Sequence, residues 1–319
     1  LSYFLKRLIQ LFPVLILISV VVFFLIHLTP GDPVAVMLGG EEGGYNRAAY
    51  DVLRKQLGLD QPVHVQYITW LGRVISGDFG NSLRTSHPVL PIIIERYPAT
   101  MYLALSSLVL GLLVAIPAGT VAAIRQNSIW DYSAMMFALF GICVPNFWLA
   151  LLLILGFAIY LGWFPTMGYV SPGTSPLLFI WHLTLPTVVL ATDMASSITR
   201  YLRAEMLEQL RQDYVRTARA KGLSPFLVFY KHTLKNSLIA SSTAIGLHVG
   251  RLLGGAAVVE TVFAWPGIGS LVLEAVYNRD YPLLQGAVLV LATNYVVINL
   301  LVDMLHQWLD PRVRLSKAA

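Results

Sequence analysis

Residues 213–238, DYVRTARAKGLSPFLVFYKHTLKNSL, form a cationic, helix-forming segment set between two long apolar runs, Leu177–Ser197 and Leu238–Glu260. From Arg200 to Lys235 the chain carries eight of its 22 Lys and Arg residues, against three acids, Glu205, Glu208 and Asp213. A basic loop beside transmembrane helices belongs on the cytoplasmic side. Ala, Arg and Lys are strong helix formers, and Gly222-Leu223-Ser224-Pro225 interrupts them once. The pattern predicts a short docking helix, a turn, and then the entry to the next span.

Composition places the whole chain in the membrane. Hydrophobic residues make up 56% and charged residues only 12% of the 319 positions, and the mean hydropathy is +0.68. A soluble domain carries about 25% charged residues. A helix crosses the ~30 Å bilayer core in ~20 apolar residues. Six runs meet that length, at about 9–28, 99–124, 134–160, 177–197, 238–260 and 284–304. The fourth is the weakest, because it includes His182, Pro186 and Asp193. The expected fold is an all-α membrane protein of six transmembrane helices with an extracytoplasmic insertion between the first and second spans. Its parts are an N-terminal anchor helix (1–29), the insertion (30–97), a membrane core of the remaining spans (98–309) and a cytoplasmic tail (310–319). The first apolar run is too long for a signal peptide and lacks a small-x-small cleavage site, so it reads as a retained anchor.

Orientation follows from Lys and Arg near the span ends. Lys6 and Arg7 precede the first span, Arg125 follows the second, and Arg312, Arg314 and Lys317 close the chain. The opposite side has none between Leu161 and Pro176 and only Arg279 between Thr261 and Leu283. Both termini are expected in the cytoplasm. The net charge of +5 reflects this asymmetry and calls for lipid headgroups, not nucleic acid. Within the insertion, Arg47–Leu57 and Val63–Ile75 read as short helices. Turn signals separate them at Pro30-Gly31-Asp32-Pro33, Gly39-Gly40, Gly58–Pro62 and Gly77–Gly80. Such a folded insertion offers a docking face to an extracytoplasmic partner.

Enzyme signatures are missing. The chain has no Gly-Lys dipeptide, hence no Walker A phosphate loop, and no G-x-S-x-G elbow. No two of the seven histidines lie within four residues of each other, so no HExxH-type zinc site exists and no metal ligands are assigned. The single cysteine, Cys143, excludes an internal disulfide. Any ATP-driven activity requires a separate ATPase chain.

A series of short motifs runs along the sequence in order. It comprises Pro30-Gly31-Asp32-Pro33, Gly58-Leu59-Asp60-Gln61-Pro62, Gly77-Asp78-Phe79-Gly80, Pro145-Asn146-Phe147-Trp148 and Asp213–Gly222. Phe263-Ala264-Trp265-Pro266-Gly267, Arg279-Asp280-Tyr281-Pro282 and Asp310-Pro311-Arg312-Val313-Arg314 complete it. Each motif alone is weak. Together they resemble, nearly end to end, the B-type membrane subunit of the peptide/opine/nickel uptake family of ABC importers. The segment 213–238 resembles the EAA loop of those permeases, the element that plugs into the partner ATPase. Aligned on Gly222, the E-A-A positions hold Arg216, Thr217 and Ala218, and the closing I-x-L-P holds His232, Thr233, Leu234 and Lys235. Peptide-type permeases look like this.

The resemblance implies the type I ABC importer permease fold. It also implies a second homologous permease subunit, two ABC ATPase subunits that bind ATP and Mg, and an extracytoplasmic substrate-binding protein. The chain itself then holds no cofactor. The setting is a bacterial plasma (inner) membrane, and the cargo is a di- or oligopeptide, with nickel, glutathione or opines as alternatives in the same family. The coupling residues are Asp213, Tyr214, Arg216, Thr217, Ala218, Ala220, Lys221, Gly222 and Leu223. Ala218 and Gly222 share one helix face at i and i+4. That face can enter a groove on the ATPase, with Tyr214 and Leu223 as apolar anchors.

Polar groups inside the spans point to a bundle or a cavity, because lipid penalises them. Arg251 sits halfway along the fifth span with no acid at i±3 or i±4. It is the leading candidate for a translocation path, followed by His248 and Asn294. His27, His182, His248 and Asn294 also suit interhelical hydrogen bonds, and Asp193 and Asp303 suit pairing with nearby cations. Gly246, Gly250 and Gly254 recur every four residues and predict a close helix approach, at a seam between two permease subunits. Two other classes carry little weight. A secondary transporter needs internal repeats and midplane ion ligands, and an intramembrane hydrolase needs a nucleophile–base pair, for which Ser106 and His182 are scattered singles.

Overall fold

The computed structural model describes residues 2–28, 34, 47–56 and 59–309. Among them the regular structure is helical, apart from one isolated bridge between Asn81 and Pro88. The helices are α1 (Ser2–Leu28), α2 (Arg47–Gln56), α3 (Val63–Ile75), α4 (Val89–Ile124), α5 (Ile129–Cys143) and α6 (Asn146–Leu153). A π-helical stretch, Ile154–Tyr160, prolongs α6. Then come α7 (Pro176–Gln209), α8 (Asp213–Ala220), a single turn at Pro225–Leu227, a second π-helical stretch, Val228–Leu234, and α9 (Lys235–Val262). Two helices, α10 (Ile268–Tyr277) and α11 (Tyr281–Leu309), complete the described chain. Among the described residues three helices are long and apolar enough to cross a membrane unaided: α4, α7, and α11 through Val302. Counting each of two bent pairs as one span raises the number to five, and α1 is apolar over Ile9–Phe24.

The expected third run, 134–160, is not one helix. Its halves α5 and α6 meet at 106°. Pro145 lacks a backbone N–H and disfavours the helical region for its predecessor. Val144 accordingly turns extended (φ −82°, ψ 122°), and Pro145 (φ −62°, ψ 136°) serves as the N-cap of α6. The fourth run, the weakest on paper, lies in one of the longest helices. Pro186 is accommodated in the middle of α7, and Ser175 with Pro176 at the first helical position starts it cleanly. Helix α4 begins at Val89, ten residues ahead of its expected apolar start.

The chain divides into two units. The first comprises Leu1–Pro98 and Gly267–Asn294. Its core joins Val89 and Ile93 of α4 to Ile268, Leu271 and Ala275 of α10 and to Leu283 and Ala287 of α11. Gly286 permits the approach of α11 to α4, since a Cβ there would lie 2.7 Å from Val89 Cγ1. Helix α3 lies on α1 through Phe23, whose ring is 5.5 Å from Tyr67 and 5.7 Å from Trp70. The Gln285 amide donates to the Val22 and Phe23 carbonyls at 3.3 Å each. The expected helices at 47–57 and 63–75 are present as α2 and α3, and Gly77 (φ +85°) and Gly80 (φ +77°) make the predicted turn.

The second unit comprises Ala99–Pro266 and Tyr295–Ala319. Helix α7 is its axis and packs along α5, α6 and α9. The main core gathers Leu103, Leu149, Val189, Met194, Ile198, Val259 and Trp265. The buried Trp265 indole donates to the Ala99 carbonyl at 2.8 Å, and its ring meets Tyr169 edge-on at 4.8 Å. The buried Glu260 carboxylate accepts a 2.9 Å hydrogen bond from Thr100. Glycines set the closest helix approaches. A Cβ at Gly141 would lie 2.0 Å from Ser196 Oγ, which joins α5 to α7. One at Gly246 would lie 2.0 Å from Val302, and one at Gly250 would lie 2.6 Å from Tyr295. At Gly246 and Gly250 the close approach expected of the glycine stripe is made by α11 of the same chain.

Candidate functional site

The segment between α7 and α9 folds as its sequence predicts, as helix, turn and re-entry. Gln212 is extended (φ −71°, ψ 150°), and α8 starts at Asp213, whose charge in the first turn complements the helix dipole. The helix stops because Gly222 takes φ +76°, a conformation natural to glycine. Gly222 N–H bonds the Arg219 carbonyl at 3.0 Å and Leu223 N–H bonds the Ala218 carbonyl at 3.3 Å. This is a Schellman closure, and the contact it favours between Ala218 and Leu223 is present. Ser224 then caps the next turn by accepting the Leu227 N–H at 3.5 Å, with Pro225 at its first position. In the π-helical stretch that follows, Thr233 donates to the Val228 carbonyl at 3.0 Å.

One face of α8 is buried. Val215 and Ala218 pack with Val228, flanked by Leu210 and Leu223. Ala218 is only 6% exposed and Leu223 is partly covered, so these two of the expected coupling residues are taken up by the chain's own core. The opposite face is open: Asp213, Tyr214, Arg216, Thr217, Ala220, Lys221 and Gly222 are exposed. A Cβ on Gly222 would meet nothing within 4 Å. Tyr214 donates to Gln209 at 2.8 Å, which ties α8 back to the end of α7. The exposed Arg216–Asp213 pair at 3.5 Å contributes little, as exposed pairs do. Just beyond the Gly222 turn in sequence stands an exposed aromatic pair that sequence reasoning passed over. Phe226 and Tyr230 are 66% and 44% exposed, with ring centroids 4.5 Å apart. Their i, i+4 spacing after Ser224-Pro225 was the available signal.

A second overlooked pair lies at the same end of α7. Arg203 donates through Nε and Nη2 to both carboxylate oxygens of Asp131, at 2.5 and 2.7 Å. The side chains are 23% and 2% exposed. Asp131 also accepts the Asn127 N–H at 3.0 Å, while Ser128 caps α5 by accepting the Asp131 N–H. Ser128-x-x-Asp131 is a capping-box pattern readable from sequence, but its partner 72 positions away is not.

The polar residues of the spans separate in kind. Arg251 is exposed and forms no ion pair among the described residues. His248, one turn earlier on α9, is 7% exposed and has Arg251 and Asp193 as its electrostatic neighbours. Asp193 forms no ion pair among the described residues, contrary to the pairing expected of it. Asn294, in the first unit, accepts from the Tyr97 hydroxyl at 3.2 Å, the interhelical bond expected of it. His182 instead bonds its own helix, with Nδ1 2.8 Å from the Leu178 carbonyl. Ser106 pairs with Thr187 at 2.8 Å, which leaves the hydrolase reading without its nucleophile–base pair. The side chains of His27 and Asp303 lie outside the described residues, as do Pro30–Pro33, Gly39-Gly40, Gly58 and the tail 310–319.

Comparison with known proteins agrees with this architecture. The family described as "Binding-protein-dependent transport system inner membrane component" matches residues 115–315, and its N-terminal counterpart matches residues 1–104. The dipeptide transport system permease protein DppB of Alkalihalophilus pseudofirmus is 42% identical over 334 residues, covering 98% of this chain and 99% of that one. The oligopeptide transport system permease protein AppB of Bacillus subtilis is 39% identical over 315 residues, covering 98% and 99%. In fold, the chain is similar to the inward-facing MetNI methionine ABC transporter. The TM-score is 0.58 at 18% identity, over 71% of this chain and 100% of that one. The family matches run along nearly the whole chain and the relatives align from end to end, so this protein belongs to the binding-protein-dependent transport system inner membrane components, as a membrane-integral ABC importer permease subunit of the peptide branch.

Proposed function

We propose that this chain forms one half of the translocation path of an ATP-driven importer for di- and oligopeptides. The cargo assignment is supported by the relatives named for dipeptide and oligopeptide transport. One observation carries the coupling role: α8 is a short helix buried on one side only. Its other side offers Tyr214, Arg216, Thr217, Ala220, Lys221 and Gly222 to a partner. In this reading the partner is an ABC ATPase, and Phe226 and Tyr230 flank the contact. The full assembly has a second homologous permease, two ATPases that hold ATP and Mg, and a substrate-binding protein on the outer face. Six spans cross the bacterial inner membrane, with both termini cytoplasmic and the 30–97 insertion outside. The α5–α6 elbow counts as one span, and the lysines and arginines flanking α8 set the orientation. Arg251 faces the path, and His248, one turn before it on α9, supports it. Rocking of the spans between inward- and outward-facing states follows closure of the ATPases.

The decisive experiment is affinity purification of the tagged chain from its native membrane, with identification of the copurifying subunits and of the ligand on the binding protein. ATPases and a peptide-loaded binding protein are the expected companions. A chain that transports after its ATPases are deleted overturns the reading.

A further inference from the structure

Helix α8 has two unlike ends. Toward α9 it runs into the Gly222 turn and the π-helical stretch Val228–Leu234. Toward α7 it has no loose loop. Leu210 N–H bonds the Met206 carbonyl, Arg211 N–H that of Glu208, Gln212 N–H that of Gln209, and Val215 N–H that of Gln212. Leu210 packs against Val215 and Ala218, and Tyr214 is bonded to Gln209. A displacement of α8 is therefore delivered to the end of α7.

Six residues inside that end, Arg203 grips Asp131 at the start of α5. The fork is held on both sides. Asp131 is fixed by Asn127 N–H, and the guanidinium is bidentate, a planar geometry that an ammonium group does not reproduce. Farther along, α5 and α7 touch again where Gly141 meets Ser196, and the Ser196 hydroxyl donates to the Phe137 carbonyl at 3.4 Å. The helix pair is thus joined at two points along its length. Beyond the second point α5 ends at the Pro145 elbow.

We propose that Asp131–Arg203 is the strut that carries motion of the coupling helix from α7 into α5 and so to the elbow. Arg203 and Asp131 act as positioning residues for transport. The inference rests on α8 being the ATPase contact. An ion pair that served fold stability alone would have no reason to alter the stoichiometry between ATP and cargo.

The test uses the complete transporter, with permease partner, ATPases and binding protein, reconstituted in proteoliposomes. It compares wild type with Arg203→Ala, Arg203→Lys and the double variant Asp131→Asn/Arg203→Gln, which leaves no buried charge unpaired. Recovery of assembled complex, ATP hydrolysis and uptake of radiolabelled Gly-Leu are measured on each. The expected result is assembly and hydrolysis within about twofold of wild type with uptake reduced at least about tenfold, so that ATP consumed per peptide rises. Arg203→Lys should fall between, because it keeps the charge and loses the fork. Uptake and hydrolysis falling together, in proportion to recovered complex, overturns the strut. A Gly222→Tyr control separates the two claims. Normal uptake in that variant overturns the coupling role of α8 and the strut with it. Lost uptake there, beside an unchanged ATP-to-peptide ratio in the Arg203 variants, overturns the strut alone.

Discussion

Ser82 and Asp280 are 198 positions apart in sequence, and the Ser82 hydroxyl donates to the Asp280 carboxylate at 2.5 Å. The same carboxylate accepts Leu83 N–H at 3.1 Å and Leu283 N–H at 3.3 Å. It therefore caps α11 and fastens the turn after Gly80 in one stroke. Both side chains are buried. Arg279, just before it, takes φ +52°, so the chain bends sharply to deliver Asp280 to this position.

Loss of that acceptor leaves buried donors unanswered. Asp280→Ala should destabilise the protein by about 2–3 kcal/mol, in the range for hydrogen bonds to a charged group. Asp280→Asn should cost less, and Ser82→Ala about 1 kcal/mol. Thermal unfolding of the purified protein in detergent reads the order. A Ser82→Ala loss equal to that of Asp280→Ala would mean that the backbone bonds contribute nothing.

Gly222 separates local strain from partner contact. Its φ of +76° makes Gly222→Ala unfavourable by about 1–2 kcal/mol, yet nothing stands near the added Cβ. That variant should insert, pull down its ATPases and retain most uptake. Gly222→Tyr should insert equally well and lose both uptake and pull-down, because the ring occupies the space a partner enters. Equal behaviour of the two variants excludes a steric contact at this turn.

The glycine stripe yields a contrast within one protein. Gly246→Leu and Gly250→Leu drive side chains into Val302 and Tyr295, where overpacking of well-packed sites costs about 1–3 kcal/mol and often more. Both should reduce the amount of folded protein in the membrane. Gly156→Ala, with nothing within 4 Å of its new Cβ, should leave it unchanged. Fluorescence of a C-terminally tagged chain in size-exclusion chromatography measures all three.

Arg251 makes an electrostatic prediction. Unit charges ~6 Å apart interact by roughly 3 kcal/mol at an effective dielectric of about 20, or about two orders of magnitude in passage. Uptake of anionic peptides should therefore fall in Arg251→Ala and fall further in Arg251→Glu, with cationic peptides gaining relative to them. Wild-type uptake of both classes in both variants removes Arg251 from the path.

The sequence was most informative where structure is local. Asp213–Ala220 followed by Gly222-Leu223-Ser224-Pro225 reads as a helix, a left-handed stop and a new cap, and each step depends on residues within five positions. The insertion helices α2 and α3 were legible for the same reason. The elbow was not, although Val144-Pro145 announced it, because hydropathy sums apolar residues without regard to direction. The glycine stripe told that helices approach but not which helix fills it, and α11 supplies Val302 and Tyr295 from the same chain. The i, i+4 relation of Ala218 to Gly222 points it toward a partner, whereas Ala218 is buried. Its i+3 relation to Val215 marked the inward face, and Val228 completes that contact from beyond the turn.

The elbow brings one practical consequence. Cys143 is the last residue of α5, it is exposed, and it is the chain's one thiol. A maleimide fluorophore added to the unmodified subunit therefore labels a single known position, directly beside the bend. No cysteine-free background has to be engineered in this chain first. Its emission would report whether that corner sits in oil, water or protein as nucleotide is cycled.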